Sequence, residues 1–139
     1  MIAVDASIAI KLFIQEPDRD LAVSLWHSWL DSGELLVAPP LFRWETLSVV
    51  RRKVHQRAIP AEEGEEAYRG LTNLGVELRE PDALPAMAWQ FAKEFNQPTI
   101  YDCCYVALAD ILGCELWTAD RRLVAAVRPS LSWVRLLGE

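Results

Sequence analysis

The sequence predicts an α/β fold with a mainly parallel sheet and helices on both of its faces. Two patterns carry this. Short apolar runs alternate with longer stretches of helical spacing from one end of the chain to the other. The runs are continuous in hydrophobicity, as strands covered on both faces must be. With 139 residues and a hydrophobic fraction of 52%, the chain can fill one substantial core and has no room for a second domain of ordinary size. There is no repeat, linker or low-complexity segment, so residues 1–139 read as one domain.

Ile2 to Val4 is a first strand ending at Asp5. Asp5-Ala-Ser7 leads into IAIKLFI, which has helical spacing and is broken by Glu16-Pro17-Asp18. A second helix from about Asp18 to Asp31 gathers Leu21, Ala22, Leu25, Trp26, Trp29 and Leu30 on one wide face, and Ser32-Gly33 closes it. Leu35 to Ala38 is the second strand. Pro39-Pro40 ends it and starts a third helix, roughly Leu41 to Arg57. After a turn at Ile59-Pro60, a fourth helix runs from Ala61 to Leu74. Glu62, Glu63, Glu65 and Glu66 lie near its start, where the helix dipole favours acids, and Gly75 stops it. Val76 to Leu78 is a third strand. A fifth helix spans Asp82 to Asn96, with Leu84, Met87, Ala88, Phe91 and Phe95 inward. Asp102 opens a sixth helix, Glu115 to Thr118 is a strand, and Asp120 stands where that strand hands over to another helix. Ser132 to Leu136 is the last strand.

The formal charge is −6, from 14 basic and 20 acidic side chains, which argues against sequence-blind coating of nucleic acid. It is compatible with a nuclease, because carboxylates collected around a cation count as negative until the metal arrives. Cys103, Cys104 and Cys114 are odd in number and form no C-x-x-C pair, so they read as core residues of a protein in a reducing cytosol. The N-terminus lacks a secretory pattern, and no apolar run approaches the roughly 20 residues that cross a bilayer. A soluble, cytoplasmic protein is expected.

Three acids stand just after a strand or at a helix start: Asp5, Asp102 and Asp120. Singly, each is a preferred helix cap. Together they mean more, because the strand ends of a parallel sheet share one edge, so at least Asp5 and Asp120 converge. Clustered carboxylates repel one another unless a cation sits among them, and hard oxygen ligands suit Mg²⁺ or Mn²⁺. Glu45, in the first turns of the helix after the second strand, is the fourth candidate. Asp110 lies on the same helix as Asp102 but about 12 Å further along, and should miss the site. Ser7 and Thr118 fall at the same edge and are placed to support a carboxylate or to cap locally. Arg51, Arg52, Lys53 and Arg57 crowd the third helix, and Arg52 shares a face with Glu45. Arg51 and Arg52 are therefore candidates for holding a substrate phosphate, with a solvated charged face as the alternative. Arg121 and Arg122 beside Asp120 carry the same ambiguity. Neither His27 nor His55 sits at a strand end, which disfavours histidine acid–base chemistry. Of the six tryptophans, most read as core, with one or two as anchors in a protein interface.

The segments VDASIAIKLFIQEP (Val4 to Pro17), APPLFRWETLSVVRR (Ala38 to Arg52) and TIYDCCYVALADILGCELWTADRRLV (Thr99 to Val124) resemble, in order and spacing, the PIN-domain ribonucleases, most closely the VapC-type toxins of toxin–antitoxin pairs. The resemblance aligns Asp5, Glu45, Asp102 and Asp120 with the family's four acids, and Ser7 and Thr118 with its supporting hydroxyls. It departs at Ser48, where the family usually has Asn three residues after the second acid; serine can still hydrogen-bond there but reaches less far, which leaves the fine positioning of Glu45 or of substrate open, not the metal site. The resemblance implies a three-layer α/β/α sandwich and a homodimer. It also implies a small DNA-binding antitoxin and Mg²⁺- or Mn²⁺-dependent hydrolysis of RNA, with Asp5, Asp102 and Asp120 at the metal. The other readings are a PIN-like housekeeping RNA-processing or DNA nuclease, and an acidic binding module without chemistry. Phosphoryl transfer through an aspartyl-phosphate is disfavoured because the D-x-D it needs is Asp5-Ala6-Ser7 here.

Overall fold

A computed structural model describes residues 1–139. The elements run β1 (Ile2–Val4), α1 (Ala6–Phe13), α2 (Arg19–Asp31), β2 (Leu36–Ala38), α3 (Leu41–His55), α4 (Ala61–Thr72), β3 (Glu77–Leu78), α5 (Leu84–Glu94), α6 (Tyr101–Leu112), β4 (Glu115–Thr118), α7 (Arg121–Val127) and β5 (Val134–Leu136). β1 is the centre of the sheet, whose order is β3-β2-β1-β4-β5, and every neighbouring pair is parallel. All carboxyl ends therefore lie on one edge, and helices cover both faces of the sheet in an α/β/α sandwich. The chain steps outward from β1 to β2 and β3, then crosses back to β4 on the other side of β1. Such a reversal opens a crevice between the two strands that flank it, here β1 and β4.

The register at that crevice is fixed residue by residue. Ile2, Ala3 and Val4 pair with Glu115, Leu116 and Trp117. The Asp5 amide then donates to the Trp117 carbonyl at 3.0 Å, carrying the alignment one residue past the end of β1. All three residues of β1 and all three of β2 are buried, as the continuous apolar runs require. α6 packs on β1 and β4 and is buried along Cys103 and Tyr105 through Ala109. α1 packs on α2, α3, α4 and β4. Two glycines let α4 lie close: a Cβ on Gly64 would come within 2.4 Å of Val54 on α3, and one on Gly70 within 2.1 Å of the Phe13 ring on α1. This clamp helps set where α3, the carrier of Glu45, meets the sheet.

The expected elements are all present, with shifted ends. α3 stops at His55 because Arg57 takes a left-handed φ of 58°. α5 is shorter than its apolar pattern suggests, with proline in its first turn. On α2, Ala22, Trp26 and Trp29 are buried but Leu21 and Leu30 are exposed, so its apolar face is narrower than its sequence implies. The three cysteines are free. Burial pushes the Cys103 thiol up to about 11, with the Asp102 charge adding to it, so it is inert packing rather than a nucleophile. No helix is long and apolar enough to cross a membrane.

Candidate active site

Asp5 follows β1 directly and is 7% exposed, the most buried acid in the chain. Two hydroxyls from different elements converge on one of its oxygens. Thr118 Oγ1 donates to Asp5 Oδ2 at 2.6 Å, and Ser7 Oγ donates to the same atom at 2.7 Å. Those hydroxyls are themselves held in a web. Ala119 N–H donates to Ser7 Oγ at 2.9 Å and Asp120 N–H to Thr118 Oγ1 at 3.0 Å. Asp5 occupies the N-cap position of α1 but makes no capping bond. Its Oδ2 is taken by the two hydroxyls; no side chain donates to Oδ1, and the Ser7 backbone amide lies near enough to the carboxylate to help lower its pKa. Burial raises its pKa, the Thr118 and Ser7 hydrogen bonds oppose that, and the Asp120 charge adds to the rise.

Glu45 sits in the second turn of α3, half-buried. Its Oε1 accepts from the Tyr105 hydroxyl at 2.6 Å, across 60 residues of sequence. Burial raises its pKa, the Tyr105 bond lowers it, and the charges of Asp5 and Asp102 raise it again. Asp102 is the second residue of α6 rather than its cap, half-buried and without a protein donor on its carboxylate. Burial raises its pKa as well, followed by Asp5 and Asp120, with Arg122 opposing. Asp120 is the true cap of the set. Its Oδ1 accepts from the Arg122 amide at 2.9 Å and the Leu123 amide at 3.2 Å, and its Oδ2 lies 3.7 Å from the Arg122 guanidinium.

The four acids expected from sequence thus feel one another's charge around a single edge: Asp5 with Asp120, Glu45 with Asp5 and Asp102, Asp102 with Asp5 and Asp120. The capping explanation holds for one of the three aspartates. Ser7 and Thr118 both reach the cluster. Asp110 does not; it lies at the far end of α6, beside Gly113 and the start of β4. Arg51 and Arg52 are exposed further along α3. The basic side chain whose field reaches an acid of the cluster is Arg122, 91% exposed. His27 and His55 are exposed on helices.

Two residues went unassigned in the sequence. Tyr105 is fully buried yet gives its hydroxyl to Glu45; the signal was its place three residues after Asp102, one turn along the same helix face. Glu80 lies just past β3 at the same sheet edge, and its charge, with those of Glu45 and Asp102, raises the half-buried Cys104 thiol after burial itself. The rule that singled out Asp5 and Asp120, an acid just past a strand, applies to it too.

In chemistry, the donor set fits a hard divalent cation. It offers carboxylate oxygens only, and no basic side chain pairs with Asp5, Glu45 or Asp102. The fit is one of chemistry and placement rather than of a closed coordination sphere, since no three His, Cys, Asp or Glu side chains are gathered closely enough to hold an ion as they stand.

The PIN domain family model matches residues 2–128. Two curated proteins of Mycobacterium tuberculosis, Ribonuclease VapC9 and Ribonuclease VapC12, are each 30% identical over 123 residues, covering 88% of this chain and 88% and 89% of their own lengths. Among solved structures, that of M. tuberculosis VapC20, described as a Sarcin-Ricin loop cleaving toxin, superposes with a TM-score of 0.69 at 17% identity. That match covers 91% of this chain and 95% of the other.

Proposed function

Because the chain belongs to the PIN-domain family, we propose that it is a metal-dependent endoribonuclease, the toxin of a VapBC-type pair. The observation that carries the reading is the edge itself: three further acids gathered around the buried Asp5, with charges that raise one another's pKa values and no basic side chain paired with Asp5. The ribonuclease relatives at 30% identity support it independently.

Asp5, Asp102 and Asp120 would hold Mg²⁺ or Mn²⁺. When bound, such an ion supplies positive charge to phosphoryl oxygens and makes nearby water a stronger acid. The chain's own residues do the rest. Ser7 and Thr118 lock Asp5 Oδ2, so that Oδ1 is presented without rotameric freedom. Tyr105 holds Glu45 Oε1, which leaves Oε2 to orient the attacking water and take its proton. Burial and the charges of Asp5 and Asp102 raise the Glu45 pKa against the Tyr105 bond, the direction that makes a carboxylate a stronger base. Attack in line with the departing 3′ oxygen gives 5′-phosphate and 3′-hydroxyl ends and does not use the ribose 2′-hydroxyl. Arg122, Arg51 and Arg52 are the candidates for steadying the phosphates.

Unpaired RNA suits the rim. Trp44, 65% exposed, and Tyr101, 56% exposed, immediately precede Glu45 and Asp102. Exposed aromatics beside a phosphate site are platforms for unstacked bases. Trp89 on α5 and Tyr68 on α4 are further outward aromatics, of the kind enriched in protein interfaces; the partners proposed from the family are a second copy of the chain and a small DNA-binding antitoxin, in the cytoplasm.

The test is to incubate purified protein with total RNA, with and without Mn²⁺, and to map cut sites for the wild type and Asp5→Asn. Wild-type cuts carrying 5′-phosphates, lost in the variant and in chelator, are the expected outcome. Equal cutting by both proteins would sink the assignment. Cutting of DNA in preference to RNA would move it to the DNA nuclease.

A further inference from the structure

We propose that Tyr105 is the positioning residue of the acid cluster: its hydroxyl aims the Glu45 carboxylate. The inference rests on the reading above, in which Glu45 handles the attacking water, and it adds a residue that the sequence motifs do not assign.

Four observations converge. The bond from Tyr105 to Glu45, at 2.6 Å, is the side-chain hydrogen bond joining α3 to α6. Tyr105 is fully buried, with the charge-bearing end of its partner half-exposed. A phenylalanine would fill the same core volume, so packing alone does not call for the hydroxyl. Ser48, one turn beyond Glu45, is exposed, and the donor to Glu45 comes from α6 instead.

Asp102 and Tyr105 are three residues apart and so share a face of one rigid helix. That helix presents one acid directly and, through the phenol, fixes a second. A single hydroxyl therefore ties the helix that carries Asp102 to the Glu45 carboxylate on α3. Its strength is that of a charge-assisted bond, short and directional, enough to hold one carboxylate rotamer against solvent.

The experiment uses the whole chain with Tyr105→Phe, Glu45→Gln, the double variant, and Ser48→Ala as control. Two readouts are taken. In the first, the side chain of Glu45 is followed by ¹³C NMR. One ordered conformer is expected in the wild type and in Ser48→Ala, and averaging among several in Tyr105→Phe, with the melting temperature of that variant within about 4 °C of wild type. In the second, RNA cleavage by Tyr105→Phe loses about 10- to 100-fold in kcat with KM unchanged, and adds no further loss in the Glu45→Gln background. A Glu45 side chain as ordered in Tyr105→Phe as in the wild type overturns the proposal. So do losses from the two substitutions that multiply, since Tyr105 would then act independently of Glu45. If the wild type cuts no RNA, the nuclease reading fails and the NMR comparison alone decides Tyr105.

Discussion

Asp5 and Glu45 are held across the fold, whereas Asp102 and Asp120 are held by their own helix. The donors to Asp5 and Glu45 include neutral hydroxyls 113 and 60 residues away in sequence. Asp120 is fixed by the amides two and three residues on, and Asp102 by nothing beyond its place in the first turn of α6. The difference separates two kinds of site residue. An acid fixed locally keeps its geometry wherever its helix goes. An acid fixed by distant hydroxyls is in place only when the sheet is fully assembled, and it reports on tertiary structure. The first pair can be perturbed through residues far from it in sequence; the second cannot.

The largest effect should come from Asp5→Asn. Asparagine keeps an oxygen for Thr118 and Ser7 but loses the charge, so cleavage should fall about 10³-fold, the equivalent of roughly 4 kcal/mol of lost charge stabilisation. The same change should stabilise the metal-free protein. Burial raises the Asp5 pKa above that of the unfolded chain, about 3.9 for an aspartate. Between those two values the folded state binds more protons than the unfolded one, so stability falls as pH rises through the window. Thermal melts in chelator should show that slope for the wild type and a shallower one for the variant. A variant that melts lower at neutral pH would mean that the carboxylate, not merely its oxygen, holds β1 to β4.

Next comes the cation. At a concentration one hundred times its Kd, Mn²⁺ should raise stability by about 2.7 kcal/mol through preferential binding to the folded state. Melts with Mn²⁺ added should show this for the wild type and lose it in Asp5→Asn. An equal rise in both proteins would place the ion elsewhere.

Thr118→Val tests the long-range hold itself. Thr118 is fully buried, donates to Asp5 and accepts from the Asp120 amide. Removing the hydroxyl should cost about 1–3 kcal/mol of stability, measured by denaturant titration. Activity should drop about 10- to 100-fold, as for supporting partners of metal ligands elsewhere. Loss of stability with full activity would show that the hydroxyl serves only the sheet.

This contrast also explains what the sequence could convey. The strands and the acids that follow them were legible, because a continuous apolar run ending in an acid is a local signal, and parallel strands send such acids to one edge. Ser7 and Thr118 were legible for the same reason. Tyr105 was not, although it lies inside a recognisable motif. Its role is a contact with α3, and nothing in local spacing says that a buried tyrosine will spend its hydroxyl on Glu45 rather than on a backbone carbonyl. Asp102 was placed as a cap from its residue type, but α6 begins a residue earlier and leaves its carboxylate free. Leu21 and Leu30 looked like core for a related reason: periodicity marks the centre of a helix face better than its borders.

The smallest effect belongs to Asp120, where two roles overlap in one side chain. Asn caps a helix about as well as Asp, so Asp120→Asn should leave the melting temperature unchanged. Ala cannot accept from the Arg122 and Leu123 amides, so Asp120→Ala should lose about 1 kcal/mol, read in a denaturant titration. If charge is what the site needs from Asp120, the two variants should lose activity equally, because both lack it. If α7 needs the cap to hold the site in shape, Ala alone should lose activity, and Asn should cut RNA as the wild type does. The second result would take Asp120 out of the cation-holding set, leave that to Asp5 and Asp102, and make the locally held pair unequal: one acid for chemistry and one for the helix.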